Sequence, residues 1–226
     1  MDYSIVILLI IFGVALYLLF SLRSRQQLAF IESYKFHTSI RKRVSGAYPH
    51  LTDSQLNLVF DGLRTYFYIC NKAKRKMVAM PSQVVDVAWH EFIVFTRAYE
   101  DFSKKAIGRF LHHTPTEVMR SPTDAQEGIK RAWRLSCAKE KINPTSPNRL
   151  PLLFAIDGLL DIEDGFKYSL DCKSESKNGG PSSTIGYCAG HIGCVAGCGG
   201  DSGAVSEGGD SGCGGSSCGS GCGGGD

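Results

Sequence analysis

Residues 4–22 read SIVILLIIFGVALYLLFSL, an apolar run without a single charge. A bilayer core about 30 Å thick takes roughly 20 residues of helix, and a helix satisfies its own backbone hydrogen bonds there. The alternatives are a cleaved signal peptide and a buried core helix. Ahead of the run stand Met1, Asp2 and Tyr3, which supply no basic n-region. The run ends in bulky residues before Arg23, without a small-residue cleavage pattern. The expectation is therefore an uncleaved single-pass anchor, integral to the membrane. All nearby positive charge follows it, at Arg23, Arg25, Lys35, Arg41, Lys42 and Arg43. By the positive-inside rule the N-terminus lies outside, and the body and tail are cytoplasmic. The Arg41-Lys42-Arg43 cluster is either a headgroup contact or a solvated helix end.

Beyond the anchor the hydrophobic period is helical. Residues 24–44 are good helix material, ended by Gly46 and Pro49. A next helix starts at an N-cap, Thr52 or Asp53, and carries one stripe of Leu56, Val59, Phe60, Leu63, Phe67 and Cys70. Pro81-Ser82 opens a third helix, with Ser82 as N-cap and Gly108 past its end. Val84, Val85, Ala88, Phe92, Phe95, Tyr99, Phe102 and Ala106 fall on its core face. A fourth runs from Thr123 to Ile142, anchored by Trp133, and Leu150–Leu160 forms a short last one. No run alternates with period two. The fold class expected is all-α: one transmembrane helix, a small helical domain, and a disordered Gly/Ser/Cys-rich tail.

That tail follows from composition. Of 26 glycines, 19 lie in residues 179–226, a segment with no Lys or Arg and four acids. It has little apolar surface to offset the entropy of ordering. The expected organisation is an anchor (1–23), a juxtamembrane helix (24–50), a helical domain (51–178) and the tail (179–226). The formal net charge of +3 speaks against a nucleic-acid binder, as does the lack of aromatic residues among Lys72, Lys74, Arg75 and Lys76.

Two groups of residues offer metal ligands. Asp86 and His90 are four apart and so share a helix face. A turn at Gly108 would return His112 or His113 towards them. Imidazole and carboxylate donors suit zinc, with the carboxylate as ligand or as partner of a ligating imidazole. The competing reading is a structural Asp86–His90 pair. In the tail, Cys188, Cys194, Cys198, Cys213, Cys218 and Cys222 are thiols that reducing conditions would keep free for soft metals. Their spacing contains no C-x2-C, which disfavours a zinc ribbon. The competing reading there is a flexible linker.

Catalysis has less support. Cys70 sits on an apolar stripe, and G-x-S-x-G, a P-loop and H-E-x-x-H are all absent.

The stretch MPSQVVDVAWHEFIVFTRAYEDFSKKAIGRFLHHTP, residues 80–115, resembles the glycine-rich domain-containing protein-like family. The resemblance rests on Asp86, the Trp89-His90 pair, Tyr99, Ser103 and His112 or His113. Phe92 and Ser103 stand where many members have His and Cys. It implies an α-helical domain in a bacterial plasma-membrane protein and supplies no established reaction. The functional expectation is a membrane-tethered interaction or scaffold domain that is not an enzyme. The alternative is a metal-binding protein or metal-dependent enzyme centred on Asp86, His90, His112 and His113, with a thiol-rich metal-binding tail.

Overall fold

The computed structural model describes residues 3–113, 122–170, 187–188 and 192. Seven helices carry most of them: α1 (Tyr3–Ser33), α2 (Thr38–Ala47), α3 (Asp53–Ala73), α4 (Gln83–Ile93), α5 (Thr96–Ile107), α6 (Pro122–Glu140) and α7 (Leu152–Leu159). The protein is all-α apart from a two-residue parallel pairing of β1 (Tyr168–Ser169) with β2 (Tyr187–Cys188). The chain divides into two units, residues 1–196 and 197–226, and every described residue lies in the first.

α1 is a single helix with two environments. Its side chains from Ile5 to Phe20 are exposed, with no described residue of the body covering them, while Ile31 is fully buried in the core. An exposed apolar surface of that extent marks a membrane or partner contact, and α1 is long and apolar enough to cross a membrane. Residues 24–50 do not form one juxtamembrane helix. The last turns of α1 and the separate α2 both join the core, through Ile31, Ile40 and Val44. Arg41 bonds Asp53 and Asn57, and Arg43 reaches Glu91 at 3.4 Å. Two of the three charges in that basic cluster are thus committed to the body.

α3 is the axis of the domain. Thr52 caps it in a reciprocal capping box with Gln55, which satisfies orphan N–H groups at its start. The expected stripe is buried as read, but it is wider than read: Tyr66 and Asn71 at its edges and Gly62 and Ile69 beyond them are buried too. α1, α4, α6 and α7 all pack around it. At Gly62 an added Cβ would lie 2.9 Å from Val85 Cγ2 and 3.3 Å from Ile156 Cδ1. The absence of a side chain there lets α3 approach α4 and α7 closely.

The third helix expected from the sequence is two helices. The chain bends at Val94 and Phe95, then resumes at Thr96. In one straight helix Phe92 and Phe102 would be about 15 Å apart. Here their rings are 5.3 Å apart, and Phe92 also stacks on Tyr99 at 5.3 Å. Burying these aromatics together outweighs the intrahelical hydrogen bonds given up at the bend. Ser82 and Gly108 terminate the pair as expected, the latter with φ +81°.

Two acids, the buried Asp157 and the half-buried Glu140, tie helix starts to distant elements. Asp157 accepts hydrogen bonds from Ser82 Oγ (2.7 Å), Gln83 N (2.7 Å), Val84 N (3.2 Å) and Phe166 N (2.9 Å). Glu140 accepts from Leu152 N at 2.7 Å and from Arg149 at 2.5 Å. Each carboxylate meets exposed N–H groups and the positive end of a helix dipole. The ordered body also reaches beyond residue 178, where composition alone would end it: Ile192 is buried in the core.

Candidate metal centre

α4 presents Asp86 and His90 one turn apart, with Asp86 Oδ2 3.7 Å from His90 Nδ1. The third member comes from the segment after α5. Gly108, in the left-handed conformation, ends α5 and turns the chain back. A buried relay then holds that segment down: Trp89 Nε1 donates to Tyr99 Oη at 3.1 Å, and Tyr99 Oη donates to Leu111 O. Two residues on, His113 Nε2 sits 3.1 Å from Asp86 Oδ1. The His113 ring lies 4.4 Å from Trp89 and 4.3 Å from His90.

Asp86, His90 and His113 each offer a donor atom, and the three atoms lie within 4.8 Å of one another. His112 lines the same cavity but is not one of the three, its ring edge-on to Phe110 at 4.9 Å. Of the two histidines the sequence left open, His113 joins the cluster. Phe92 is at the heart of the aromatic core and Ser103 is buried on α5, so neither faces the cluster. Of the tail thiols, only Cys188 is a described residue, and its backbone pairs with Ser169. Cys194, Cys198, Cys213, Cys218 and Cys222 lie outside the described residues.

The cluster opens on a cavity of about 640 Å3. It is lined by Tyr66, Cys70, Gln83, Ile129 and Phe166 and by three cations, the exposed Arg75 and Lys76 and the half-buried Arg109, which we call its lip. The sequence did not mark these residues as one cavity, because they come from separate stretches of chain. Burial pushes the Cys70 thiol up to about 12, despite its hydrogen bond with Tyr66. Burial likewise raises the Tyr66 phenol well above its ordinary value. Both stay protonated at neutral pH, so Cys70 is a wall and not a nucleophile. Tyr66 Oη instead donates to Val78 O at 3.0 Å, bracing the loop that carries the lip.

Fold and site together define an all-α protein with a long apolar N-terminal helix and a His–Asp–His cluster set in an open cavity. The chain belongs to the UCP032817-like family, whose model matches residues 26–192. No curated protein and no solved structure matches the chain.

Proposed function

We propose that this is a membrane-anchored domain that binds a divalent metal of the zinc type through Asp86, His90 and His113. The observation that carries the reading is the meeting of the three donor atoms within 4.8 Å on the wall of a cavity. Two imidazoles and a carboxylate are ordinary zinc donors. Three protein ligands facing open space leave a coordination position for water or a ligand, the arrangement of reactive rather than purely structural zinc sites. The Trp89–Tyr99–Leu111 relay supports it by fixing the segment that brings His113. The metal would supply Lewis acidity to a molecule in the cavity. On this reading the scaffold role gives way to its alternative.

The anchor spans the membrane once in this proposal, with the N-terminus outside and the body on the cytoplasmic side. Flanking charge supports that side. The likeness of residues 80–115 to glycine-rich domain-containing proteins supports the choice of Asp86, His90 and the distal histidine.

The test is metal content of the full chain with its six tail cysteines replaced by Ser, purified in detergent and loaded with zinc or cobalt(II). One equivalent should remain, with a cobalt spectrum free of thiolate charge-transfer bands, and His90→Ala or His113→Ala should remove it. A chain that holds no stoichiometric metal returns the domain to the scaffold reading. His112→Ala is the control expected to retain the metal.

A further inference from the structure

We infer that the lip of this cavity is a membrane-docking surface for anionic lipid headgroups, formed by the end of α3 and the chain after α5. The inference rests on α1 crossing the bilayer and is independent of the metal. Asn71, near the end of α3, donates to Gln27 of α1 at 3.0 Å. It also donates to Ala106 O of α5 at 2.7 Å. An added Cβ on Gly108 would lie 3.3 Å from Gln27 Nε2. The ends of α3 and α5 therefore both abut α1 at Gln27. The apolar run stops at Leu22, which is about 8 Å from Gln27 along a helix. Headgroups occupy about 5–8 Å beyond each side of the hydrocarbon core. Whatever sits beside Gln27 sits at the edge of the headgroup layer.

What sits there is strongly basic. Lys72, Lys74, Arg75 and Lys76 follow Asn71, and Lys104, Lys105 and Arg109 flank Ala106 and Gly108. All but Arg109 are exposed. Arg109 joins the two stretches by donating to Lys74 O at 2.9 Å. Of the seven cations, Lys104 is the one with an ion pair among the described residues, to Glu100 at 2.6 Å. Phe110, 39% exposed, stands beside them as an apolar group to seat at the interface. Basic side chains near an anionic surface contribute on the order of 1 kcal/mol each. The contrast with Arg41 and Arg43, already paired to acids of the body, is what singles this cluster out. Because Arg75, Lys76 and Arg109 also rim the cavity, docking would place its mouth at the headgroups.

The full chain would be reconstituted in nanodiscs of phosphatidylcholine alone and in nanodiscs with added phosphatidylglycerol, and amide exchange compared. Exchange in residues 72–76 and 104–110 should slow roughly tenfold with the anionic lipid only, and the protection should vanish at high salt. Lys74→Glu/Arg75→Glu/Lys76→Glu should abolish it while exchange in α6 and α7 stays unchanged, which reports an intact fold. Equal exchange in both discs would overturn the inference. Protection in phosphatidylcholine discs on adding inorganic phosphate would overturn it too, assigning the lip to a soluble anion. Extraction of the chain from membranes by alkaline carbonate would instead show that α1 does not span, a failure of a different premise.

Discussion

At the scale of single residues, the most consequential side chain outside the cluster is Asp157. It is 2% exposed and accepts four hydrogen bonds that join α7, the start of α4 and the turn at Phe166. Removing it strands buried donors, which costs about 1–3 kcal/mol for each one left without a partner. Asp157→Ala should destabilise the body by roughly 3 kcal/mol or more, read as a lowered unfolding midpoint in urea. Cys70 makes a pH prediction. Its folded pKa is about 12 against an ordinary 9.0. The folded state therefore holds a proton that the unfolded chain releases as pH rises through 9. Its stabilising contribution is complete below pH 9 and declines as pH climbs towards 12. Tyr66 acts in the same sense. Stability measured across that range should fall, and Cys70→Ala should make the fall shallower. Maleimide should leave Cys70 unlabelled in the native protein at neutral pH.

At the scale of elements, the close approach at Gly62 and the bend after Ile93 set the geometry. A bulky residue at position 62 must push α3 away from Val85 and Ile156. Gly62→Leu should cost about 3 kcal/mol despite the better helix propensity of leucine, because overpacking outweighs a propensity gain near 1 kcal/mol. Thermal unfolding of the two chains would show it, and an unchanged melting temperature would mean that the contact is loose. The bend matters for the site as well. It lets Tyr99 reach back to Trp89, and the relay from there to Leu111 positions His113. Tyr99→Phe keeps the ring and removes the link. It should weaken metal binding by roughly 10–100-fold, the range seen when support behind a ligand is lost, with little change in helical content.

At the scale of the whole molecule, the long apolar helix and the body are one structure, since α1 enters the core at Ile31. Severing the chain at Arg23 would spare that contact. Severing it at Ser33 would remove it and should lower the stability of the body. Topology is testable with reporter fusions after residue 178: a fluorescent fusion should be bright and an alkaline phosphatase fusion silent if the body faces the cytoplasm. Residues 197–226 contain Val205 as their one large aliphatic side chain. By composition, burial at about 25 cal/mol per Å2 has little apolar surface to act on there, while each glycine carries a high entropy cost of ordering. Deleting 197–226 should leave the melting temperature of the body unchanged under reducing, metal-free conditions.

The long apolar N-terminal helix, the helical class and most helix limits were legible along the chain, because each depends on local physics. The run from Ser4 to Leu22, the cap at Thr52, the cap at Ser82 and the stop at Gly108 need only near neighbours. The pair Asp86–His90 was legible for the same reason, being one helical turn. What lay beyond local reading was decided by packing between distant segments. Only the aromatic core around Phe92 explains why residues 83–107 bend, and only the packing that follows the bend puts His113, and not His112, beside Asp86. The burial of α3 on several faces, the role of Asp157 and the meeting of Arg109 with Lys74 beside Gln27 likewise join residues distant in the chain. A sequence period reports which face of a helix is apolar. It carries no information on what that face will meet, because the pairing of faces is settled by the joint burial of surfaces from the whole chain.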